Sequence, residues 1–278
     1  MRLGIRAHDF GKLPLKDLAG KIAEKRFTSI QLALAKAIED VNSETGSFNP
    51  GMAYYIKEIF SRHNIQIAVL GCYINPIHPD KEERKRQLAR FKEHIRFARD
   101  FGCSIVATET GSFNADCSFH PDNQSEEAFK QITESVAELV EEAEKFGVFV
   151  CVEGVTCHTI STPQTMKRLL DTINSNNLQV LLDPVNMLSI ENYMNQEQII
   201  NQCFDLYGDR IIAIHAKDFT IEDGRLKGIQ IGKGLLNYEL LLRQIKTRKP
   251  YVNVLIEESK PDTASESMDY LKDMYRNI

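Results

Sequence analysis

Short apolar runs recur along the chain, each followed by a longer stretch in which apolar residues return every three or four positions. The short runs are Leu3–Ala7, Ser29–Leu34, Ile65–Gly71, Ser104–Thr108, Val148–Glu153, Leu178–Asp183, Ile211–His215 and Val252–Glu257. Each has strand length, most are rich in Val and Ile, and several are apolar almost throughout, as parallel strands buried on both faces must be. The longer stretches read as helices. Lys81–Phe101 carries Leu88, Phe91, Ile95 and Ala98 on one face, and Ser125–Phe146 carries Phe129, Ile132, Val136, Leu139, Val140 and Ala143. Gly102 and Gly147 follow them where a left-handed cap is wanted, and Thr162-Pro163 has the form of an N-cap with Pro at the first helical position. Further helices are expected at Leu15–Lys25, Gly51–His63, Pro163–Ser175, Gln196–Tyr207, Asn237–Lys246 and Ser265–Tyr275.

Strands and helices therefore alternate, which implies right-handed βαβ crossovers and a parallel sheet. Eight such units in 278 residues favour an α/β fold of one domain, residues 1–278, closed as a (β/α)8 barrel. The turn after the first strand, Ala7-His8-Asp9-Phe10-Gly11-Lys12, is no dinucleotide fingerprint. Gly232-Lys233-Gly234 is too short to be one. It is a candidate phosphate loop, although Lys227-Gly228 and Lys233-Gly234 serve equally well as hairpin turns.

Composition narrows the partners. With 34 Lys and Arg against 39 Asp and Glu, the net charge of −5 disfavours general binding to nucleic acid or an anionic membrane. The basic residues of Lys81–Arg99 are interleaved with acids and read as a solvated helix face. No apolar run is long enough to span a bilayer, and the first residues lack a secretory core. Six scattered cysteines without a CxxC pair fit a reducing, cytoplasmic setting.

In such a barrel the chemistry lies at the C-terminal ends of the strands. Glu153, Asp183, His215 and Glu257 close four consecutive apolar runs. Adjacent strands lie about 4.8 Å apart, so these side chains are able to converge on one point. Three carboxylates and one imidazole suit Mn²⁺, Mg²⁺ or Co²⁺, and Zn²⁺ also fits. Without a cation the carboxylates would repel one another. Glu109, Asn186, Lys217 and His8 stand at other strand ends or nearby and are candidates to touch substrate. His8, His78, His120 and His158 are otherwise expected on surface loops, and Cys151 and Cys157 as small apolar residues.

The stretches Cys151-Val152-Glu153-Gly154, Leu182-Asp183-Pro184-Val185-Asn186, Ile214-His215-Ala216-Lys217-Asp218 and Ile256-Glu257-Glu258 resemble the xylose-isomerase-like TIM-barrel superfamily. The resemblance runs over the whole chain. It implies that Glu153, Asp183, His215 and Glu257 bind one divalent ion, and that Glu153 and Glu257 also move the substrate proton. Family epimerases often carry His where this chain has Asn186, and Arg where it has Lys217. The expected reaction is isomerisation or epimerisation of a small sugar, sugar phosphate or polyhydroxy ketone through an enediolate. The alternatives are dehydration of an inosose-type substrate at the same site and zinc-dependent DNA cleavage of the endonuclease IV kind. The partner expected is a small carbohydrate, with room for a homo-oligomer.

Overall fold

The computed structural model describes residues 1–278. The strands are β1 (Arg2–Arg6), β2 (Ser29–Leu32), β3 (Gln66–Gly71), β4 (Ile105–Glu109), β5 (Phe149–Glu153), β6 (Leu178–Leu182), β7 (Ile211–Ala216), β8 (Asp218–Glu222), β9 (Arg225–Ile229) and β10 (Asn253–Ile256). All but β8 and β9 form one closed parallel barrel in the order β1-β10-β7-β6-β5-β4-β3-β2. The helices are α1 (Leu15–Glu24), α2 (Leu34–Ala37), α3 (Pro50–Arg62), α4 (Lys81–Phe97), α5 (Glu126–Phe146), α6 (Pro163–Ile173), α7 (Gln196–Tyr207), α8 (Tyr238–Arg248) and α9 (Pro261–Asn277). The expected (β/α)8 barrel is the fold observed.

Side chains alternate across each strand, and the two faces have separate cores. Val150, Val152, Val180, Leu182, Ile214 and Ile256 join the large cluster beneath the helices. Val69, Ala107, Cys151, Leu181, Ala213 and Leu255 fill the lumen, with Ala68 beside them as the extra residue at the register shift between β2 and β3. Cys151 thus packs as a small apolar residue. The period-2 rule then carries over to function, because Glu153, Asp183, His215 and Glu257 each follow a lumen residue by two positions. All four must point inward, one layer above Cys151, Leu181, Ala213 and Leu255.

The caps behave as their residue types require. Ser125 Oγ accepts from Ala128 N at the start of α5, and Gly147 closes it at φ 61°. Thr162 and Thr165 form a reciprocal capping box on α6. Other elements depart from expectation. The final apolar residues of Ser29–Leu34 turn into α2, a single turn too short to show periodicity. α4 ends at Phe97, and Ala98 N already bonds Ile95 O in a tighter turn. α9 starts at Pro261 rather than near Ser265, with Pro pre-setting its first turn. The insertion after β7 is an antiparallel hairpin of β8 and β9 whose turn is Asp223-Gly224, at φ 50° and 70°. Neither Lys227-Gly228 nor Lys233-Gly234 makes that turn. Gly228 lies within β9, whereas two residues at positive φ suit the tight turn of a two-residue hairpin.

Candidate metal centre

The register of β5, β6, β7 and β10 brings one ligand atom from each of Glu153, Asp183, His215 and Glu257 to within 4.8 Å of the others. All four residues are buried. His215 Nδ1 faces the acids, 3.2 Å from Glu153 Oε1 and 2.6 Å from Glu257 Oε2. Its other nitrogen, Nε2, donates to Gln31 Oε1 at 2.6 Å, and Gln31 Nε2 donates to the Tyr73 hydroxyl at 2.9 Å. Asp183 Oδ1 accepts from the backbone amides of Val185 and Asn186 at 2.8 and 3.1 Å. Glu153 Oε1 accepts from Asn186 Nδ2 at 2.7 Å.

Two cations balance part of the negative charge. Arg6 Nη1 lies 2.9 Å from Glu257 Oε1, and Arg6 Nε lies 2.8 Å from Asp9 Oδ1. Lys217 Nζ lies 3.2 Å from Asp183 Oδ2 and 3.4 Å from Glu257 Oε1, and donates to Asn186 Oδ1 at 2.6 Å. Burial opposes charge on His215, yet Glu257 and Glu153 raise its pKa well above that of a free imidazole. Burial likewise opposes charge on Glu257, and His215, Lys217 and Arg6 hold it well below the usual carboxylate range. Asp183 is pushed up to about 6, mainly by burial, with Lys217 pulling against it and Glu257 adding to it.

The donor set fits a divalent cation. Asp183 Oδ2 and Glu257 Oε2 are buried without a hydrogen bond of acceptable angle, although Lys217 and His215 lie close to them. Such orphaned carboxylate oxygens are expensive unless a cation takes them. The Gln31 contact puts a proton on His215 Nε2, which leaves Nδ1 free to act as the fourth ligand. Glu153, Asp183 and Glu257 supply hard oxygens beside it.

A family model described as "Xylose isomerase-like TIM barrel" matches residues 21–274. The chain belongs to this family. No curated protein matches it. Among solved structures, a D-tagatose 3-epimerase-like protein is 21% identical, with 100% of this chain and 98% of that one covered and a TM-score of 0.79. The IOLI protein with a binding zinc atom is 16% identical, covers 100% and 99%, and has a TM-score of 0.74. The 3-keto-D-glucoside 4-epimerase YcjR from E. coli is 16% identical, covers 98% and 99%, and has a TM-score of 0.72. At these identities the likeness establishes the shared barrel.

Within this xylose isomerase-like barrel the other candidates take distinct places. Asn186 and Lys217 touch the four-residue cluster directly. Glu109 ends β4 in register with Glu153 and lies beside the buried His158 ring, with Nδ1 3.7 Å from Glu109 Oε2. His8 packs edge-on to Tyr73, with ring centroids 5.8 Å apart, and its pKa falls to about 3 through burial and the charges of Arg6 and Lys36. His78 and His158 are buried, contrary to the surface expectation, because each ring bonds backbone inside a loop over the barrel.

Gly232-Lys233-Gly234 is not a phosphate loop. Asp218 Oδ2 accepts from Gly232 N and Gly234 N at 2.9 and 3.0 Å, and Oδ1 accepts from Phe219 N and Leu236 N at 2.9 and 3.0 Å. The amides a phosphate would use already hold a carboxylate of the chain itself. Sequence reasoning missed Arg6, Gln31 and Tyr73. Gln31 left a trace, being a polar residue in the short apolar run Ser29-Ile30-Gln31-Leu32. Arg6 and Tyr73 left none, since each is a common residue type at a strand end.

Proposed function

We propose that this xylose isomerase-like chain is a divalent-metal-dependent isomerase or epimerase of a small polyhydroxy ketone. The observation that carries the reading is the buried meeting of Glu153, Asp183, His215 and Glu257, with two carboxylate oxygens left for a cation. The epimerase names among the similar structures favour proton transfer at carbon over other chemistry. Mn²⁺, Mg²⁺ and Co²⁺ suit the three oxygen donors best, and Zn²⁺ also fits.

A bound divalent ion supplies Lewis-acid stabilisation of the negative charge that develops on a carbonyl oxygen as the neighbouring carbon loses its proton. The chain's own residues do the rest. Asp183 and His215 act as ligands only. Gln31 is a positioning residue that fixes the His215 tautomer. Glu257, kept ionised by His215, Lys217 and Arg6 at the expense of its basicity, is assigned the role of proton acceptor. Glu153, from the other end of the four-strand arc and pinned by Asn186, would enter in its protonated form and deliver that proton to the opposite face. Exchange with solvent resets the two glutamates between turnovers. Lys217 spans Asp183, Glu257 and Asn186 and would reach a substrate hydroxyl only by giving up one of these partners.

Incubating the Mn²⁺-loaded protein with a panel of ketoses and inososes in D₂O tests the reading. Deuterium at the carbon beside the carbonyl, together with an isomer or epimer, is the expected result. Loss of water in place of a new isomer would reassign the protein as a dehydratase. Exchange that survives full chelation would remove the metal from the account.

A further inference from the structure

The half of the barrel mouth facing away from the four-residue cluster is formed by the segments after β2, β3 and β4. A cavity of about 310 Å³ opens there, lined among others by Lys36, Tyr73, Asn75, Arg90 and Glu109. A smaller one of about 100 Å³ shares Lys36, Tyr73 and Arg90. Tyr73 joins this wall to the cluster through Gln31 and His215.

The two cations of this wall differ from Arg6 and Lys217. Lys36 Nζ sits over the Tyr73 ring, 3.9 Å from its centroid. Neither Lys36 nor Arg90 forms an ion pair, whereas Arg6 and Lys217 are both committed to carboxylates. Arg90 Nη2 donates to the Tyr73 carbonyl, and its Nε is buried without a partner. Burial lowers the Lys36 pKa; Glu109 and Glu257 offset that, and repulsion from Arg6 and Arg90 adds to it. Two acids share the cavity, but neither forms an ion pair with Lys36 or Arg90. Glu109 Oε2 faces His158, and Asp116 Oδ1 accepts from Ser118 N at 3.0 Å. Two neighbouring cations that repel one another beside a cavity are stabilised by an anion placed between them.

We propose that Lys36 and Arg90 bind an anionic end of the substrate, a phosphate ester or a carboxylate, so that the ketose acted on is a sugar phosphate or a sugar acid. The inference rests on the function proposed above and names its substrate class. It also gives the anion a place other than the Gly232-Lys233-Gly234 loop, whose amides Asp218 occupies. The reacting carbons lie at Glu153 and Glu257, and the charged end lies across the mouth at Lys36 and Arg90.

Calorimetric titration of the Mg²⁺-loaded protein with D-fructose, D-fructose 6-phosphate and D-fructuronate tests this by affinity, independently of which isomer forms. At low salt at least one anionic ketose should bind roughly tenfold or more tighter than D-fructose, and added salt should narrow the gap. Preference for the phosphate ester or for the uronate identifies which anion is read. Lys36→Met, at an exposed side chain, should bring the anionic and neutral ketoses to within about twofold of each other, whereas Arg90→Lys should retain part of the preference. Equal binding of all three ketoses overturns the proposal. So does a preference that survives in Lys36→Met, because the anion is then held elsewhere, at the metal for instance. Binding that depends on Lys36 with no deuterium exchange on any ketose would instead refute the proposed reaction and leave this subsite standing.

Discussion

His215 carries its charge against burial because Glu257 and Glu153 face its Nδ1, so a metal ion must displace a proton to bind there. Binding Mn²⁺ at pH 7.5 should therefore release about one proton, read by calorimetry in buffers of different ionisation enthalpy. The sign for Asp183 is the same. Its pKa of about 6 means that it holds a proton below that pH, so metal affinity should fall as pH drops through 6 and rise as pH increases. Release of no proton at pH 7.5 would show that His215 does not ligate through Nδ1. Gln31 gives a second test at this scale. Gln31→Leu removes the acceptor that keeps the proton on Nε2 and should weaken metal binding by about 10–100-fold. Gln31→Glu keeps an acceptor and should retain affinity close to wild type. Equal affinities in wild type and Gln31→Leu would reduce Gln31 to packing.

The β8–β9 hairpin and the segment after it form a lid-like rim tied down by one side chain. Asp218 collects the amides of Phe219, Gly232, Gly234 and Leu236, and a Cβ on Gly234 would stand 2.2 Å from Asp218 Oδ1. Asp218→Asn turns a donor toward amides that are themselves donors, so it should destabilise the protein by about 1–3 kcal/mol. Faster hydrogen exchange confined to residues 219–236 is the check, and unchanged protection there would contradict the role given to Asp218. This element also marks a limit of reading a sequence. Asp223-Gly224 is the stronger local signal for a two-residue hairpin turn than Lys227-Gly228 or Lys233-Gly234, and it makes the turn. What no local pattern shows is a carboxylate of the preceding strand reaching to the later loop, a contact 14–18 residues away in the chain.

At the scale of the whole molecule the barrel was legible because both-face burial makes its parallel strands apolar throughout. The metal residues were legible because each closes an apolar run, and period-2 alternation explains why they converge, since Cys151 and Glu153, Leu181 and Asp183, Ala213 and His215, and Leu255 and Glu257 share one inward face. Lys36, Tyr73 and Arg90 were not legible. They come from three separate segments, after β2, after β3 and on α4, that meet because β2 pairs with β3 and α4 packs back over their ends. Arg6 and Glu257, at opposite ends of the sequence, meet because the barrel closes by pairing β1 with β10.

The central claim is that Glu153 and Glu257 are proton carriers as well as ligands. It is tested most directly by deuterium exchange at the substrate carbon in Glu153→Gln and Glu257→Gln, with bound metal quantified in the same samples. Both variants keep an amide oxygen toward the ion and should retain measurable metal, while exchange falls by roughly two to four orders of magnitude. Exchange at the wild-type rate in metal-loaded Gln variants would contradict the account and leave Glu153 and Glu257 as ligands alone.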